Sequence, residues 1–351
     1  MSERLLRVLV VDDSAYLRKM LTHMLRSSPL LEVVGYARDG VDALERVIEL
    51  KPDVVTVDLN MPLMNGAEFI REQMKRDPLA VVVVSIVSED GQLAGEAMDA
   101  GAVEFVRKPT GLANEKVLEI ERELVEKVLA AGHIARRRLQ PMALPPPAPQ
   151  TPVVVRTPSD FEVLVLGLST GGPQALRFLL SRFSAQFPVA VAVVVHMPVG
   201  YTAPFAEKLN DISPLEVKEA SNGLVMQPGR VVLAQAGQHL TFRRREGLVE
   251  CGLASRPMGL LHRPSVDVLF EAAANTYGKG TLGVVLTGMG EDGKNGSAWI
   301  KAQGGMVLAE HESSCVIYGM PRAVVEAGLA DAVYPLTELP ARIEAILARQ
   351  G

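Results

Sequence analysis

The sequence predicts two α/β domains joined by a linker, and three observations support this prediction. Short apolar runs alternate with helical patterns through the first 130 residues or so, which is the rhythm of a parallel sheet flanked by helices. The same rhythm returns after about residue 160. Between the two regions, residues 140–158 read QPMALPPPAPQTPVVVRTP, and this proline content favours an extended linker. We place the domains at residues 1–132 and 159–351 and the linker at residues 133–158.

The composition excludes several classes of protein. Hydrophobic residues make up 48% of the 351 residues, which is enough for two cores and too many for a disordered chain. No apolar run approaches the roughly 18 residues of a membrane span, and the N-terminus MSERLLRVLVVDD lacks the pattern of a secretory signal. The two cysteines have no metal-type spacing and suit a reducing compartment. We therefore expect a cytoplasmic protein with no direct membrane insertion.

The charge balance disfavours nucleic-acid binding. The whole chain has a formal net charge of −5, and residues 159–351 contain 16 Lys and Arg against 18 Asp and Glu. We find no helix-turn-helix stretch and no basic face in this second half. A transcription factor is therefore the weaker hypothesis, and nucleic acid is not an expected partner.

Five strands are predicted in the first domain. They are Leu6–Val11, Val33–Tyr36, Val54–Val57, Val81–Ser85 and Glu104–Val106. Because parallel strands end at the same edge of a sheet, the residues that follow them lie close together. Apolar residues at helical spacing between positions 114 and 139 predict that the last helix of this domain continues into the linker.

Acidic residues follow two of these strands. Asp12 and Asp13 come directly after the first strand, and Asp58 follows the third. Three carboxylates at one sheet edge repel one another unless a cation is present, and oxygen ligands in an open site favour Mg²⁺. Ser85 ends the fourth strand and Lys108 follows the fifth, which adds a hydroxyl and an ammonium group. Such a site can accept a phosphoryl group, although an Asp pair after a strand can also simply cap a helix.

The second domain contains four predicted strands of the same apolar kind. They are Glu162–Gly167, Val189–Val195, Thr281–Leu286 and Met306–Ala309. Residues Arg230–Cys251 read instead as short antiparallel strands, with turn signals at residues 236–237 and 246–247. The domain is therefore predicted as a second α/β sheet with a small antiparallel element.

A candidate nucleophile follows the first of these strands. The stretch GLSTGG, with Ser169 as its serine, matches G-x-S-x-G between a strand and a helix, where a tight turn exposes the serine oxygen. A glycine-rich turn of this kind can equally bind a phosphate. His196 follows the next strand and Asp292 follows a later one, so a base and an orienting carboxylate are expected at the same sheet edge. Glu291 competes with Asp292 for the orienting role. The order Ser, His, Asp differs from that of the α/β-hydrolases.

The remaining histidines are weaker candidates for the base. His23 lies in a predicted helix and His133 lies near the linker, while His239, His262 and His311 lie in irregular segments. We expect each of them to be a surface or packing residue.

The motifs VVDDS, DLNMPLMNG and FVRKP resemble the signatures of receiver domains from two-component signalling, over about residues 5–130. The resemblance implies a five-stranded, doubly wound, flavodoxin-like fold. It implies that Asp58 receives a phosphoryl group from a histidine kinase. The implied Mg²⁺ ligands are Asp12, Asp13 and Asp58, and the implied switch residues are Ser85, Phe105 and Lys108.

Five motifs of the second domain resemble the catalytic domain of the CheB family of chemotaxis protein-glutamate methylesterases. They are GLSTGGPQAL, VVHMPVGYTAPFAEKL, HRPSVDVLF, GVVLTGMGEDG and SCVIYGMPRAV, and the similarity covers about residues 160–348. The resemblance implies a serine hydrolase with Ser169 as nucleophile, His196 as base and Asp292 as the orienting carboxylate. It also implies that the backbone N–H of Met289 binds the oxyanion.

The same resemblance implies further roles and partners. Thr170 would line the oxyanion hole, while Arg263 and Ser265 fit a structural role better than a substrate-side one. The implied reaction is hydrolysis of glutamyl methyl esters, with deamidation of glutamine as a second activity and no cofactor for the hydrolysis. The implied partners are methyl-accepting chemotaxis receptors and the histidine kinase of the pathway. We expect the unphosphorylated receiver to cover the triad and phosphorylation of Asp58 to loosen this contact. The remaining alternative is a receptor-binding response regulator without catalysis.

Overall fold

The computed structural model describes most of the chain, in five stretches. They are residues 4–86, 91–108, 114–132, 134 and 161–348. The chain divides into two compact units, Met1–Pro141 and Met142–Gly351. The predicted linker lies outside the described residues except for Ile134, and so does the predicted continuation of the last receiver helix beyond Gly132.

The N-terminal unit is a parallel sheet with helices between successive strands. Its strands are β1 (Leu6–Val11), β2 (Leu31–Ala37), β3 (Val54–Val57), β4 (Ala80–Ser85) and β5 (Glu104–Arg107). Its helices are α1 (Ala15–Leu25), α2 (Gly40–Leu50), α3 (Gly66–Arg76), α4 (Gly91–Ala100) and α5 (Asn114–Gly132). The strand order β2-β1-β3-β4-β5, with every neighbouring pair parallel, confirms the predicted five-stranded doubly wound fold.

Local signals place the loops of this unit around its acidic edge. The strands β3 and β4 are buried at every position, as expected for strands covered by helices on both faces. Helix α3 begins with a capping box, in which Asn65 accepts from the N–H of Glu68 and the Glu68 carboxylate accepts from the N–H of Asn65. Helix α2 begins at Asp39, whose carboxylate accepts from two N–H groups of the first turn. These caps fix the chain where it leaves β2 and β3.

The C-terminal unit is a larger parallel sheet with an additional hairpin. Its strands are β6 (Val163–Leu168), β7 (Ala190–Val195), β8 (Glu216–Glu219), β9 (Arg230–Leu233), β10 (His239–Arg245), β11 (Leu248–Ala254), β12 (Thr281–Val285), β13 (Met306–Glu310) and β14 (Ala332–Tyr334). Its α-helices are α6 (Gly172–Leu180), α7 (Thr202–Ile212), α8 (Val266–Tyr277), α9 (Lys294–Ala302), α10 (Met320–Glu326) and α11 (Leu339–Leu347). The seven-stranded sheet has the order β14-β13-β12-β6-β7-β9-β8, and β10 pairs only with β11 within the described residues. The predicted fold class of this domain is confirmed.

One prediction about the strands of this unit is wrong in part. Residues Arg230–Leu233 are not antiparallel, because β9 pairs in parallel with both β7 and β8. Its last three residues are buried, which is the mark of an internal sheet strand rather than of a half-exposed hairpin strand. The antiparallel pair is β10–β11, and its turn has Glu246 and Gly247 at positive φ.

At the centre of the large sheet, helix α8 packs closely against the end of β6. The strands β6, β7 and β12 are neighbours and are buried at every position. A Cβ on Gly167 would lie 2.3 Å from Val266 Cγ1, so helix α8 approaches the end of β6 more closely than any side chain there would allow. The N-terminus of α8 is therefore held close to the carboxyl end of β6.

The two cysteines lie inside the C-terminal unit. Cys251 and Cys315 are both buried thiols, as small core residues are. Among the described residues, no helix has both the length and the apolar composition needed to span a bilayer.

Candidate active site

Ser169 lies in the tight turn between β6 and α6. Its N–H donates to the carbonyl of Thr287 at 3.0 Å, and its own carbonyl accepts from the N–H of Gly172 at 2.7 Å. Gly171 has a φ of +77°, and a Cβ on this residue would lie 2.5 Å from Val316 Cγ2. The turn thus requires glycine for two independent reasons. Its backbone holds the half-buried Ser169 at the carboxyl edge of the sheet.

His196 is the first residue after β7, as Ser169 is the first residue after β6. The two strands are neighbours with Leu168 opposite Val195, and the N–H of His196 donates to the carbonyl of Leu168 at 3.1 Å. The backbone therefore places the imidazole beside the serine turn. The His196 side chain is 9% exposed, and its Nε2 lies 2.9 Å from Asp292 Oδ2. Its Nδ1 is buried and has no hydrogen-bond partner within the described part of the chain.

Asp292 is a partly buried carboxylate, with its side chain 11% exposed, and it accepts hydrogen bonds from four groups. Besides His196, the Ser265 hydroxyl donates at 2.8 Å, the N–H of Val266 at 2.8 Å and the N–H of Asp267 at 2.9 Å. Burial alone would raise the pKa of Asp292, but the hydrogen bond and charge of His196 and the two N–H groups outweigh burial and hold this pKa far below its usual range. The carboxylate is therefore ionised, and it sits at the N-terminus of α8, where an anion is favoured.

Glu291, the competing candidate, points elsewhere. Its side chain is 73% exposed and forms an ion pair with Lys294 at 3.1 Å. The choice of Asp292 over Glu291 thus agrees with the geometry. Ser265 was expected to be structural, and its hydroxyl contacts the orienting carboxylate directly.

The loop that follows β12 lies against the serine turn. A Cβ on Gly288 would lie 2.8 Å from Ser169 Cβ, so only glycine allows the loop to approach this closely. The Thr287 hydroxyl donates to the carbonyl of the buried Thr170 at 2.9 Å. Both predicted oxyanion residues, Met289 and Thr170, therefore belong to segments that are fastened to each other beside Ser169.

Glu310 is a buried carboxylate that the sequence interpretation did not single out. It ends β13, is fully buried, and accepts from the N–H of Thr287 at 2.8 Å and from the Ser314 hydroxyl at 2.8 Å. It thus holds the start of the loop that contacts Ser169. The available signal was a charged residue directly after the apolar run of β13, which is the position where the other functional residues occur.

Two histidines that were expected to be surface or packing residues lie next to the triad candidates. The His262 ring stacks on the His196 ring, with centroids 3.9 Å apart and an angle of 20° between the planes. His239 does not lie in an irregular segment: it is the first residue of β10 and is fully buried. Its Nδ1 accepts from the N–H of Ser265 at 3.2 Å, and its Nε2 lies 3.3 Å from the carbonyl of Pro257. Burial lowers the pKa of His239, so this side chain supports Ser265 in its neutral form.

The N-terminal unit brings its predicted site residues together at the carboxyl ends of β1, β3, β4 and β5. Oxygen atoms of Asp12, Asp13 and Asp58 lie within 4.8 Å of one another. Lys108 Nζ lies 2.8 Å from Asp12 Oδ2 and 2.7 Å from Asp58 Oδ2. The Ser85 hydroxyl donates to Asp58 Oδ1 at 3.0 Å. Asp13 is exposed, whereas the other four residues are buried.

Lys108 offsets part of the negative charge of this second site. Burial raises the pKa of Asp58 in spite of the contacts with Lys108. Burial alone would lower the pKa of Lys108, but the two carboxylates outweigh burial and raise this pKa, so the ammonium stays charged. Asp12 Oδ2 is buried and, within the described residues, makes an ion pair with Lys108 but no hydrogen bond. An all-oxygen set with such an atom fits a Mg²⁺ ion held by Asp12, Asp13 and Asp58.

Phe105, the predicted aromatic switch residue, lies in β5 with its side chain in the hydrophobic core of this unit. Its carbonyl accepts from Lys127 Nζ on α5 at 2.7 Å, and the same ammonium pairs with Glu104 and Glu123. These ion pairs outweigh the effect of burial and raise the pKa of Lys127 to about 12. The backbone at Phe105 is therefore tied to α5 by a permanently charged lysine.

Comparison with known proteins assigns both units. A family model described as CheB methylesterase matches residues 164–343, and a response regulator receiver domain model matches residues 8–118. A protein of Myxococcus xanthus named protein-glutamate methylesterase/protein-glutamine glutaminase 5 is 51% identical over 336 residues, covering 94% of this chain and 95% of its own length. A Thermotoga maritima protein named protein-glutamate methylesterase/protein-glutamine glutaminase is 39% identical over 344 residues, covering 98% and 99%.

A solved structure gives the same result for the C-terminal unit. The crystal structure of the Thermotoga maritima CheB methylesterase catalytic domain has a TM-score of 0.51 and 39% sequence identity, and it covers 52% of this chain and 97% of its own. The family match spans the residues that build the serine turn, His196 and Asp292. The chain therefore belongs to the CheB methylesterase family, with a response regulator receiver domain ahead of the methylesterase domain.

Proposed function

We propose that this chain hydrolyses glutamyl γ-methyl esters on methyl-accepting chemotaxis receptors in the cytoplasm, under the control of phosphorylation at Asp58. The catalytic residues of this proposal are Ser169, His196 and Asp292. The observation that supports it most is the partly buried pair of His196 and Asp292, whose Nε2 and Oδ2 lie 2.9 Å apart, with His196 directly after the strand next to the serine turn. Relatives are named protein-glutamine glutaminases as well, so the proposal includes deamidation of receptor glutamine.

The reaction begins with attack of the Ser169 hydroxyl oxygen on the ester carbonyl. His196 takes the hydroxyl proton at Nδ1, the nitrogen that has no other partner in the described residues. The tetrahedral intermediate then expels the methoxy group, which leaves as methanol with the proton from His196. Water attacks the resulting acyl-enzyme with His196 again as base, and glutamate and free Ser169 are released. With a glutamine side chain, ammonia leaves in place of methanol.

Two features favour the charged transition state. The ionised Asp292 accepts from His196 Nε2 and stabilises the imidazolium that forms when Nδ1 gains its proton. In this proposal the N–H of Met289 and the first turn of α6 stabilise the negative charge that develops on the carbonyl oxygen, with Thr170 lining the turn. Because substrate is a side chain on another protein, access to Ser169 is expected to be shallow and open.

The receiver supplies the control in this proposal. A histidine kinase of the chemotaxis pathway transfers a phosphoryl group to Asp58, and Lys108, whose Nζ lies 2.7 Å from Asp58 Oδ2, offsets the charge of this group. A Mg²⁺ ion held by Asp12, Asp13 and Asp58 would supply further neutralisation of the phosphoryl oxygens. Ser85 donates to Asp58 and is placed to follow a phosphoryl group. Phe105 is the residue proposed to repack in response.

The decisive experiment measures methanol release from methylated receptor signalling domains by the full chain. Wild type and Ser169→Ala are compared, each with and without a small-molecule phosphodonor and Mg²⁺. We expect wild type to release methanol, the rate to rise with phosphodonor, and Ser169→Ala to lose at least about 10³-fold, because the nucleophile is gone.

A second serine variant is the control for this comparison. Ser181→Ala removes a hydroxyl that donates to the carbonyl of Phe178 at the end of α6, and it is expected to keep the wild-type rate. A folded wild-type chain that binds receptor but releases no methanol under any condition would overturn the proposal. That outcome would favour the receptor-binding regulator without catalysis.

A further inference from the structure

Helices α8 and α9 cap each other with carboxylates. Asp292, which directly precedes the N-cap of α9, accepts from the N–H groups of Val266 and Asp267 in the first turn of α8. In return, Asp267 Oδ1 accepts from the N–H of Gly293 at 2.8 Å and from the N–H of Gly296 at 2.7 Å at the start of α9. Each helix thus satisfies N–H groups that the other leaves free at its N-terminus.

Neither helix caps itself with a side chain. The N-cap of α8 is Ser265, and its hydroxyl donates to Asp292 instead of accepting from the N–H groups of its own helix. The N-cap of α9 is Gly293, which has no side chain and a φ of +99°. Asp267 therefore does for α9 what a serine or aspartate N-cap normally does from within the helix. A third contact, from Asn295 Nδ2 to Asp267 Oδ2 at 3.1 Å, adds to this hold.

The two helices are closely packed around these hydrogen bonds. A Cβ on Gly296 would lie 2.9 Å from both the Cα and the carbonyl oxygen of Asp267, so the backbones are in direct contact. A Cβ on Gly293 would lie 3.0 Å from Val266 Cγ1. The start of α9 is consequently fixed by Asp267 at contact distance, and Asp292 is the residue immediately before its N-cap, Gly293.

We infer that Asp267 is a positioning residue for the proposed hydrolysis. It holds the start of α9 so that Asp292 Oδ2 stays 2.9 Å from His196 Nε2, and the described hydrogen bonds of its own carboxylate go to Gly293, Asn295 and Gly296. Its burial, with the negative charge of Asp292 nearby, raises the pKa of Asp267, so a second, partly buried carboxylate is kept at this place against its electrostatic cost. The inference rests on the proposed function of Ser169, His196 and Asp292.

The test compares Asp267→Ala with Asp267→Asn in the full chain, by kcat, KM and the pH profile of methanol release. We expect Asp267→Ala to lower kcat by about 10- to 100-fold with KM within twofold, because misplacing a catalytic group by about 1 Å costs a factor of this order. The acid limb of its kcat profile should move to lower pH, since a displaced Asp292 stabilises the protonated imidazole less. Asp267→Asn should recover to within about threefold of wild type, because its amide oxygen can still accept from both glycine N–H groups.

Asp331→Ala is the matched control. Asp331 also accepts from a backbone N–H, that of Val307 at 2.8 Å, but it precedes β14 and therefore lies at the opposite edge of the parallel sheet from His196. Its loss should lower the thermal stability while leaving kcat and the pH profile unchanged. Should Asp267→Ala fail to fold, Asp267→Ser, which keeps a short acceptor, takes its place with the same expected direction.

The outcomes separate the two proposals. A folded Asp267→Ala with wild-type kcat overturns the inference. So does a loss of activity that leaves the acid limb in place and is not restored by asparagine. If wild type and Asp331→Ala both release no methanol, the proposed hydrolysis itself has failed.

Discussion

The two nitrogen atoms of the His196 imidazole have different surroundings. Nε2 lies 2.9 Å from Asp292 Oδ2, and Nδ1 is buried without a hydrogen-bond partner among the described residues. In the chymotrypsin-type arrangement of these three side chains the nitrogens have the opposite roles, with Nδ1 toward the carboxylate. The nitrogen proposed to act as base is thus Nδ1, the one nearer the main chain. The main chain at His196 is held in place by the hydrogen bond from its N–H to the carbonyl of Leu168.

The stacked His262 leads to a prediction for single residues. His262→Ala should lower kcat about three- to tenfold, because an aromatic stack of about 0.5–1.5 kcal/mol that holds the His196 ring would be lost. His262→Phe should restore most of this loss, since a phenyl ring can stack but cannot exchange a proton. Initial rates of methanol release at saturating substrate measure the effect.

The control for this prediction is His311→Ala. His311 is exposed, and among the described hydrogen bonds its ring contacts only Ser313. Its removal should leave kcat unchanged. If His262→Ala had the wild-type rate, the stack would have no part in orienting the base; if His262→Phe were as slow as His262→Ala, the imidazole rather than the stacking would be what matters.

At the scale of elements, the start of β10 predicts a pH dependence of stability. Burial lowers the pKa of His239 below its ordinary value of 6.5. The unfolded chain therefore binds a proton more readily than the folded one, and the folded state loses stability as the pH falls below about 6.5 toward the lower folded value. At neutral pH and above, the contribution of His239 is fully present. The thermal midpoint of unfolding of the C-terminal unit should therefore decrease when the pH is lowered from 7.5 to 5.

His239→Asn is the comparison for this measurement. The asparagine oxygen can accept from the N–H of Ser265 in place of Nδ1 but cannot titrate, so the variant should have a smaller slope of thermal midpoint against pH on the acid side. An identical slope in both proteins would assign the pH dependence to other groups.

The elements show where sequence reasoning succeeds and where it fails. The central strands were predictable because short uninterrupted apolar runs, such as those of β4 and β7, are typical of buried strands. The edge strands β8 and β14 were not, since Glu216–Glu219 is mostly charged and Ala332–Tyr334 has only three residues. Their register comes from pairing with neighbours, which local sequence does not contain.

The site divides in the same way. Residues directly after strands, such as Ser169, His196 and Asp58, were predictable because parallel topology brings strand ends together. His239, His262 and Asp267 were not, because their roles depend on how a hairpin, a loop and a helix fold back over that edge. The hydrophobic pattern of a sequence does not predict how such segments pack over the sheet.

For the whole molecule, phosphorylation of one unit is expected to change the rate of the other. A phosphodonor with Mg²⁺ should raise methanol release by wild type, and Asp58→Asn should abolish this stimulation because an amide cannot form the acyl phosphate. Asp53→Asn, which alters a carboxylate that accepts from the N–H of Arg7 in the same unit, should keep it. Removal of Mg²⁺ with EDTA should remove the stimulation as well.

A truncated chain completes this test. If the unphosphorylated receiver restrains the hydrolase, deletion of residues 1–140 should raise the basal rate above that of the unphosphorylated full chain. An unchanged basal rate would contradict restraint by the receiver, and stimulation that survives in Asp58→Asn would contradict control through Asp58.

The orientation of the His196 ring also bears on the inhibition of the enzyme. A boronate or phosphonate that bonds to a serine oxygen mimics the tetrahedral intermediate, and its affinity depends on a hydrogen bond from the protonated imidazole. Nε2 is hydrogen-bonded to Asp292, so in the proposed mechanism the hydrogen bond to the inhibitor comes from Nδ1, close to the backbone at the end of β7. Compounds shaped for hydrolases of the opposite ring orientation would direct their acceptor atom to the wrong side of the imidazole. Selectivity for this protein can therefore be sought in the angle at which the acceptor atom of the inhibitor meets the ring.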